Sequence, residues 1–436
     1  MPARVCASVQ PPGKMGAAYG LSAYTAAGAT ARNCILNMHL SAMHHEGASL
    51  SDVETSPASP NLPSHSRVGL LRRLTRFKRA RATAASGAGP ATWVRGWLGL
   101  PVTPTPLNLA LQGGGAHGAF TWGVLDALLE DPRIAFEGLS GSSAGAMNAV
   151  VLADGWIKGG REGARRGLAD FWIGVGKQLP AGMVTRGEGD AISLSPASKM
   201  LAAWAGYFSP SQLNPFALNP LRDLLERQVD FGQLRAHSPF KLFVGATQAN
   251  SGKLRVFREH ELSLDMLLAS ACLPKIHHPV LIDGEPYWDG GYCANPAVFP
   301  LFYDCQSTDI LLVLLNPLRR DSTPRSVEEI ESRIAELAFS AHFMREMRMF
   351  AHATEFSRPA FPGTGRLDRR LRKMCFHMID ASQLASLQRS DTKMLAHGPF
   401  LDLLHRQGRA RATAWLARHA AGIGQGSTVD VKKWFG

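Results

Sequence analysis

The sequence has few cysteines and no long apolar run. Six cysteines are scattered over 436 residues, and no two of them stand at the two-residue spacing of zinc sites. They are too sparse for a disulfide scaffold, so we expect free thiols in a reducing compartment. The longest apolar run, Ile310–Leu315, ends at Asn316-Pro317 and is far shorter than the ~20 residues that cross a bilayer. We expect a cytoplasmic protein, and leave open peripheral attachment to the inner membrane and secretion.

Acidic residues are scarce in the first hundred positions, where 11 Lys and Arg stand against 3 Asp and Glu. The remainder of the chain holds 36 basic and 32 acidic side chains, so most of the net charge of +12 comes from one end. A folded nucleic-acid-binding domain would carry a basic surface of its own. The charge distribution therefore argues against nucleic acid as a partner.

Residues 1–105 are rich in Ala, Ser, Gly and Pro and lack a sustained apolar period, which predicts a basic, poorly ordered leader. Within it, Arg67–Arg81 contains seven basic residues and no acidic one, with Leu71, Leu74 and Phe77 at helical spacing. Two interpretations stay open for this segment. It is either a helix that lies on an anionic membrane surface or a solvated linker.

From residue 106 onward, short apolar runs alternate with helical patterns. Strands are predicted at 107–111, 136–140, 242–247, 254–257, 279–282 and 310–315. Helices are predicted after the glycine-rich turns that follow the first two strands. This alternation indicates an α/β fold with a mostly parallel central sheet flanked by helices on both faces. We assign residues 106–317 to this α/β domain.

Two segments depart from the alternation. Residues 156–235 are rich in Pro, Ser, Gly and aromatic side chains, and they form either an insertion that shapes a lid or apolar groove, or ordinary helices packed on the sheet. Residues 318–436 are predicted to be a mainly helical C-terminal extension packed on the domain. Its expected elements are a long helix over 326–356, a late strand over 375–381 and a final helix over 409–420.

A glycine-rich motif joins the first predicted strand to its helix, with the sequence Gly113-Gly114-Gly115-Ala116-His117-Gly118. A G-x-G-x-x-G pattern is typical of dinucleotide sites, which also need an acidic residue at the end of the next strand. Here Glu137 opens that strand and serines occupy its end. The alternative is an oxyanion hole, in which backbone N–H groups converge on the negative charge that develops in acyl transfer.

The following turn favours the oxyanion hole. Gly141-Ser142-Ser143-Ala144-Gly145 is a G-x-S-x-G pentapeptide between a predicted strand and a predicted helix, which is the context of a nucleophile elbow. Ser143 has glycines two residues away on both sides. It would stand at the helix N-terminus, where the helix dipole and a free N–H favour a negatively charged oxygen. We therefore predict Ser143 as the nucleophile.

A third motif, Asp289-Gly290-Gly291, supplies a carboxylate. It follows a predicted hairpin whose turn contains Asp283-Gly284, and Asp-Gly between two extended runs is an ordinary hairpin signature. Asp283 is thus explained by the turn. We predict Asp289 as the functional carboxylate.

In this order, the three motifs resemble those of the patatin-like phospholipases over residues 107–317, about half of the chain. The resemblance implies hydrolysis of lipid acyl esters, of the phospholipase A or lysophospholipase kind, by a Ser143–Asp289 dyad through an acyl-enzyme, with no metal and no cofactor. One departure is His117, because the family usually carries Arg or Lys there, and it bears on phosphate preference and pH dependence. The implied oxyanion hole comprises the N–H groups of Gly113, Gly114, Gly115, Gly118 and Ala144.

Several alternatives use the same residues differently. The same catalytic residues could act on neutral lipid, a thioester or a storage polyester. Two other classes of protein also stay open, a catalytically idle lipid-surface protein and a dinucleotide-binding oxidoreductase.

A catalytic triad would need a histidine, and none stands in a recognisable loop context. We therefore expect activity to persist below the pH at which a histidine becomes protonated. The histidines between, beside or after the motifs are His117, His260, His277, His278, His377 and His397.

Overall fold

The computed structural model describes residues 104–178, 184–186, 192–205, 207–320, 322–356, 365–382, 384–388 and 390–436. The predicted leader, including its basic segment Arg67–Arg81, therefore lies outside the described residues except for its last two positions. The domain boundaries given above stay predictions. None of the helices in the described ranges is both long enough and apolar enough to span a membrane.

The strands of the described residues are numbered in chain order. They are β1 Thr105–Leu111, β2 Ile134–Ser142, β3 Val184–Arg186, β4 Ile192–Leu194, β5 Lys241–Gln248, β6 Leu254–Arg258, β7 Val280–Ile282, β8 Glu285–Asp289, β9 Asp309–Leu314 and β10 Cys375–Asp380. Each strand predicted from the sequence is present, with bounds that differ by one or two residues.

Most of these strands form one central sheet in the order β10-β9-β1-β2-β5-β8-β7, with β6 also paired to β5. The strands from β10 to β5 are parallel to their neighbours, whereas β6, β7 and β8 pair in antiparallel fashion. A separate ribbon contains β3 and β4. The predicted α/β fold with a mostly parallel sheet is confirmed.

The helices of the described residues are also numbered in chain order. They are α1 Gly118–Glu130, α2 Ala144–Gly176, α3 Pro196–Ala205, α4 Pro210–Leu213, α5 Pro220–Gln228, α6 Phe231–His237, α7 Leu264–Ser270, α8 Phe299–Asp304, α9 Val327–Phe356, α10 Arg366–Lys373, α11 Gly398–His419 and α12 Val431–Phe435. The helix predicted over 409–420 begins eleven residues earlier, as α11, and α12 follows it.

Both faces of the sheet are buried by helices, as β9 illustrates. Leu311 and Val313 belong to a core shared with α1, α2 and α11. Leu312 and Leu314 belong to a second core shared with α8, α9 and α12. Because successive side chains of a strand point to opposite faces, this continuous apolar run supplies both cores at once.

The segment 156–235 combines the two interpretations left open above. The second half of α2, beyond a kink at Gly159–Gly160, buries Phe171 and Trp172 against the main core. In contrast, the stretch around α3 and α4 leaves large apolar side chains in solvent, and Phe216 is 83% exposed. Ordinary packing helices therefore flank an apolar surface segment.

Candidate active site

The sheet topology brings the three sequence motifs to one edge. Leu111 of β1 pairs with Gly141 of β2 in parallel, so the glycine loop and the serine elbow leave the sheet side by side. Strand β8 runs the other way and pairs Asp289 with Ala246 of β5, next to the point where β5 pairs with β2. Ligands of parallel α/β sheets bind beyond the carboxyl ends of the strands, where these motifs lie.

The predicted elbow has the backbone of a nucleophile turn. Ser143 connects β2 to α2 with φ 54° and ψ −127°, a left-handed φ that is uncommon outside glycine and recurs at functional sites. Its N–H lies 3.0 Å from both the backbone oxygen and Oγ of Ser270. Ser270 Oγ in turn donates to the Gly245 carbonyl at 2.6 Å. These bonds hold the turn without using the Ser143 hydroxyl, which stays partly exposed.

Asp289 is 1% exposed, and only one of its two carboxylate oxygens has a hydrogen bond of normal geometry. Its Oδ1 accepts a hydrogen bond from the Gly291 N–H at 2.7 Å, whereas Oδ2 has no partner of normal geometry among the described residues. Burial raises the pKa of Asp289 to about 6, and the Gly291 N–H and the nearby Ser143 side chain oppose this rise. A carboxylate with a raised pKa and a vacant acceptor beside a serine can receive the hydroxyl proton.

This pKa changes one sequence-based expectation. The carboxylate of Asp289 becomes protonated near pH 6, close to the ordinary pKa of histidine at ~6.5. Activity that requires the ionised carboxylate therefore declines over the same range in which a catalytic histidine would fail. We therefore now expect activity to decline near pH 6 instead of persisting below the range of histidine protonation, and this stays a prediction.

A segment that sequence reasoning missed, Ala294–Ala297, ties the three motifs together. Ser142 Oγ donates to the Ala294 carbonyl at 2.6 Å, and Ser140 Oγ donates to the Ala297 carbonyl at 2.5 Å. The Asn295 side chain forms two hydrogen bonds with the backbone of Gly113. Its Oδ1 accepts from the Gly113 N–H at 2.6 Å, and its Nδ2 donates to the Gly113 carbonyl at 3.3 Å. Ala294–Ala297, which follows the Asp289 motif in the chain, thereby fixes the positions of the serine elbow and the glycine loop.

This arrangement corrects two of the predicted oxyanion donors. The N–H of Gly113 is already bonded to Asn295, and the N–H of Gly118 is bonded to the Gly115 carbonyl. Both glycines serve close packing instead. A Cβ at Gly113 would lie 2.9 Å from Ser143 Cβ, and one at Gly118 would lie 2.6 Å from Ala144 Cβ.

The other three candidates remain available as donors. The N–H groups of Gly114, Gly115 and Ala144 form no hydrogen bond within the described part of the chain. Ala144 is the first residue of α2, where N–H groups have no partner inside the helix and the helix dipole is positive. These three N–H groups are therefore free to bind an oxyanion.

Gly115 is the loop position most sensitive to a side chain. Its φ is +58°, and a Cβ there would overlap the carbonyl oxygen of Lys393. We expect Gly115→Ala to displace the loop and to lower kcat for a soluble ester at least about tenfold, because misplacing one oxyanion donor typically costs more than that. Steady-state kinetics together with thermal unfolding would measure both effects.

Gly284→Ala is the matched control for that variant. Gly284 also has a positive φ, +82°, but no atom lies within 4 Å of its would-be Cβ. It should lose about 1 kcal/mol of stability from the left-handed backbone and keep its kcat. If Gly115→Ala is as active as Gly284→Ala, the glycine loop is not the oxyanion hole.

The histidines do not join the site. His117 is buried beneath the glycine loop, where Nε2 pairs with Thr392 Oγ1 at 2.7 Å, and burial with the nearby Lys393 charge lowers its pKa to about 3. His278 bonds the Asn214 carbonyl at 2.9 Å. His377 pairs with Asp309 at the start of β9. Within the described ranges, no histidine hydrogen-bonds the carboxylate or the hydroxyl of the predicted dyad.

A groove of about 330 Å³ opens beside Asp289. Its wall includes Cys272, whose carbonyl accepts the backbone N–H of Asp289 at 2.8 Å. Exposed apolar side chains stand at the groove and next to it, namely Phe216, Leu218 and Leu281. The groove therefore has exposed apolar side chains at its edge, and it reaches the site through Cys272, because Ser143 and Asp289 do not line it.

In the ranges that the structure describes, no group of three or more His, Cys, Asp or Glu side chains could hold a metal ion. The expectation of a metal-free reaction stays a prediction.

The chain was compared with protein families, with curated proteins and with solved structures. Residues 109–302 match the model of the family described as Patatin-like phospholipase. Among solved structures, VipD from Legionella pneumophila is 16% identical, and the similarity covers 77% of this chain and 73% of that chain with a TM-score of 0.32. The comparison with curated proteins found no match.

Proposed function

We propose that this chain cleaves lipid acyl esters with a Ser143–Asp289 dyad, because residues 109–302 match the model of the patatin-like phospholipase family, whose activity is lipid acyl hydrolysis. One observation supports this proposal above the others. A buried carboxylate with an unpartnered oxygen lies next to a partly exposed serine on a left-handed elbow. Such an arrangement is unfavourable for stability and useful for moving a proton.

The proposed reaction has two halves. Ser143 Oγ attacks the ester carbonyl while Asp289 Oδ2 takes the hydroxyl proton, and the N–H groups of Gly114, Gly115 and Ala144 bind the oxyanion. Collapse of the tetrahedral intermediate breaks the bond to the alcohol, which leaves with the proton from Asp289. Water then attacks the acyl-enzyme while Asp289 takes its proton. The bond from the acyl carbon to Ser143 Oγ breaks, Asp289 returns the proton to Oγ, and the fatty acid is released.

The neighbouring groove supports a lipid acyl chain as the part of the substrate that is recognised. Ligand sites are usually apolar clefts with a few polar groups, and large exposed apolar side chains indicate contact with an apolar partner. Here Leu218 and Leu281 are 70% and 67% exposed where the groove opens to solvent. We propose a phospholipase A or lysophospholipase activity. Neutral lipid, thioester and polyester hydrolysis are the alternatives that the experiment must separate.

A hydrolysis screen on the full chain tests this function. We expect release of fatty acid from lysophospholipid or phospholipid, and faster turnover of p-nitrophenyl decanoate than of the acetate, because the groove binds an acyl chain. Since the proposed chemistry uses only side chains and backbone, activity should survive excess EDTA. Triglyceride and a thioester complete the panel, with Ser143→Ala protein as the background control.

Two results would contradict the proposal. Loss of ester hydrolysis on chelation, restored by calcium or zinc, would replace the metal-free dyad. No hydrolysis of any ester, with no labelling by a fluorophosphonate probe, would favour an idle lipid-surface protein.

A further inference from the structure

The side chain of Asn295 holds the first glycine of the proposed oxyanion loop. Its two hydrogen bonds to Gly113, one accepted from the N–H at 2.6 Å and one donated to the carbonyl at 3.3 Å, use opposite ends of the same amide. Asn295 is 1% exposed, so both bonds are shielded from water. An amide suits this place because it carries an acceptor and a donor on one planar group.

The bond to the Gly113 carbonyl sets the direction of the next N–H group. This carbonyl and the Gly114 N–H belong to one peptide unit, which is planar and trans. In such a unit, the C=O and N–H bonds point in opposite directions. Since the carbonyl points to Asn295, the Gly114 N–H points away from it, and this N–H forms no hydrogen bond within the described part of the chain.

The peptide unit that Asn295 orients begins against the proposed nucleophile. A Cβ at Gly113 would lie 2.9 Å from Ser143 Cβ and would overlap the carbonyl oxygen of Ser142. An oxyanion forms on the carbonyl that Ser143 attacks, so its donors must lie close to this serine. A turn of the Gly113–Gly114 peptide would therefore change a donor beside the reacting atoms.

The backbone around Asn295 is itself anchored on two sides. The N–H of Ala294 donates to the Gly290 carbonyl at 2.8 Å, within the loop that follows Asp289. The carbonyl of Asn295 accepts from Gln112 Nε2 at 3.4 Å. Gln112 Oε1 in turn accepts the two N–H groups that follow β9, at 2.6 and 2.9 Å. Asn295 is thus a fixed support for the glycine loop.

We propose that Asn295 is a positioning residue for the oxyanion hole, because it turns the Gly113–Gly114 peptide so that the Gly114 N–H is available to the oxyanion. Asn295 acts through Gly114 and does not touch the substrate. This inference rests on the proposed function, since it concerns the same site. It separates two roles within the glycine loop, with Gly113 as the anchored residue and Gly114 as the donor.

The test measures kcat and KM for a soluble p-nitrophenyl ester and Ki for a trifluoromethyl ketone with the same acyl chain. Ser143 Oγ adds to the ketone carbon, its proton passes to Asp289, and the C=O electron pair becomes an oxyanion, so Ki reports oxyanion binding. In Asn295→Ala, we expect kcat to fall and Ki to rise by about 10- to 100-fold, up to the typical cost of losing one oxyanion donor. KM should hardly change, because the bound ester carries no oxyanion before attack.

Asn108→Ala is the matched control. Asn108 is another buried asparagine whose Oδ1 accepts a backbone N–H, that of Gly138 at 3.0 Å, and whose Nδ2 donates to a backbone carbonyl, that of Ser307 at 3.0 Å. It lies near the start of β1, whereas the site lies beyond the carboxyl end of that strand. The control should lower the melting temperature, as Asn295→Ala does, and leave kcat and Ki near wild type.

Three outcomes separate the possibilities. Wild-type kcat and Ki in Asn295→Ala, or the same change in both asparagine variants, would overturn the role of Asn295 while hydrolysis itself stands. A lower kcat with an unchanged Ki would do the same, because oxyanion binding would then be intact. If wild type neither hydrolyses the ester nor binds the ketone, the proposed function fails, and this inference with it. Asn295→Leu, which has nearly the volume of asparagine and lacks both hydrogen bonds, replaces Asn295→Ala if that variant does not fold.

Discussion

Ser143→Ala is expected to lose ester hydrolysis by about 10⁴-fold or more and to lose fluorophosphonate labelling, because the acyl-enzyme cannot form without the hydroxyl. The fold should persist. The elbow is held by hydrogen bonds from the Ser143 N–H to Ser270, which the substitution keeps. Alanine also tolerates the same backbone angles as serine. Initial rates on a soluble p-nitrophenyl ester and a thermal unfolding curve would test both statements.

Ser142→Ala is the control within the same motif. Ser142 Oγ is buried and donates to the Ala294 carbonyl, so its removal leaves that acceptor unsatisfied and should cost about 1–3 kcal/mol of stability. The nucleophile would remain, and the variant should still be labelled. An active Ser143 variant beside a folded but unlabelled Ser142 variant would mean that the elbow has been assigned to the wrong serine.

Asp289→Asn is expected to be the second inactive variant, with kcat lower by about three orders of magnitude or more, because an amide cannot accept the Ser143 proton. In wild type, kcat/KM should fall below pH ~6, since burial raises the pKa of Asp289 to about 6 and only the ionised form is a base. The pH profile therefore does not separate a dyad from a triad. The variants His277→Gln and His278→Gln separate these two mechanisms, because each should stay active if no histidine takes part.

The same substitution should stabilise the fold. The pKa of Asp289 rises from 3.8 to about 6 on folding, so between these values the native state binds more protons than the unfolded state and loses stability as pH rises. Removing the ionised group should then raise the free energy of unfolding by up to about 3 kcal/mol at pH 8. The gain should vanish near pH 4. Urea unfolding at both pH values measures it, and a variant less stable than wild type at pH 8 would contradict the unpaired carboxylate.

Local signals in the sequence were sufficient for much of the fold. Asp283-Gly284 predicted the hairpin of β7 and β8, and both residues have positive φ, 52° and 82°, as a tight hairpin turn requires. The motif around Ser143 likewise lies between a strand and a helix, as predicted. These features depend on residues a few positions apart, and a single sequence contains that information.

The parts that were missed depend on contacts between distant residues. The bond from Gly113 to Asn295 spans 182 positions and that from His117 to Thr392 spans 275. A glycine motif shows that backbone N–H groups are accessible, but not which of them the fold already uses. Gly113 was therefore predicted as an oxyanion donor although its N–H is bonded to Asn295.

The place of β10 in the sheet has a consequence for how this chain can be divided. Residues 375–380 pair in parallel with β9, which would otherwise be an outer strand of six fully buried residues. An uncovered apolar edge strand is a template for intermolecular pairing and aggregation. The match to the family model ends at residue 302, before both strands, so a fragment cut at that boundary would lack β9 and β10 and would leave β1, the partner of β9, as an uncovered edge strand.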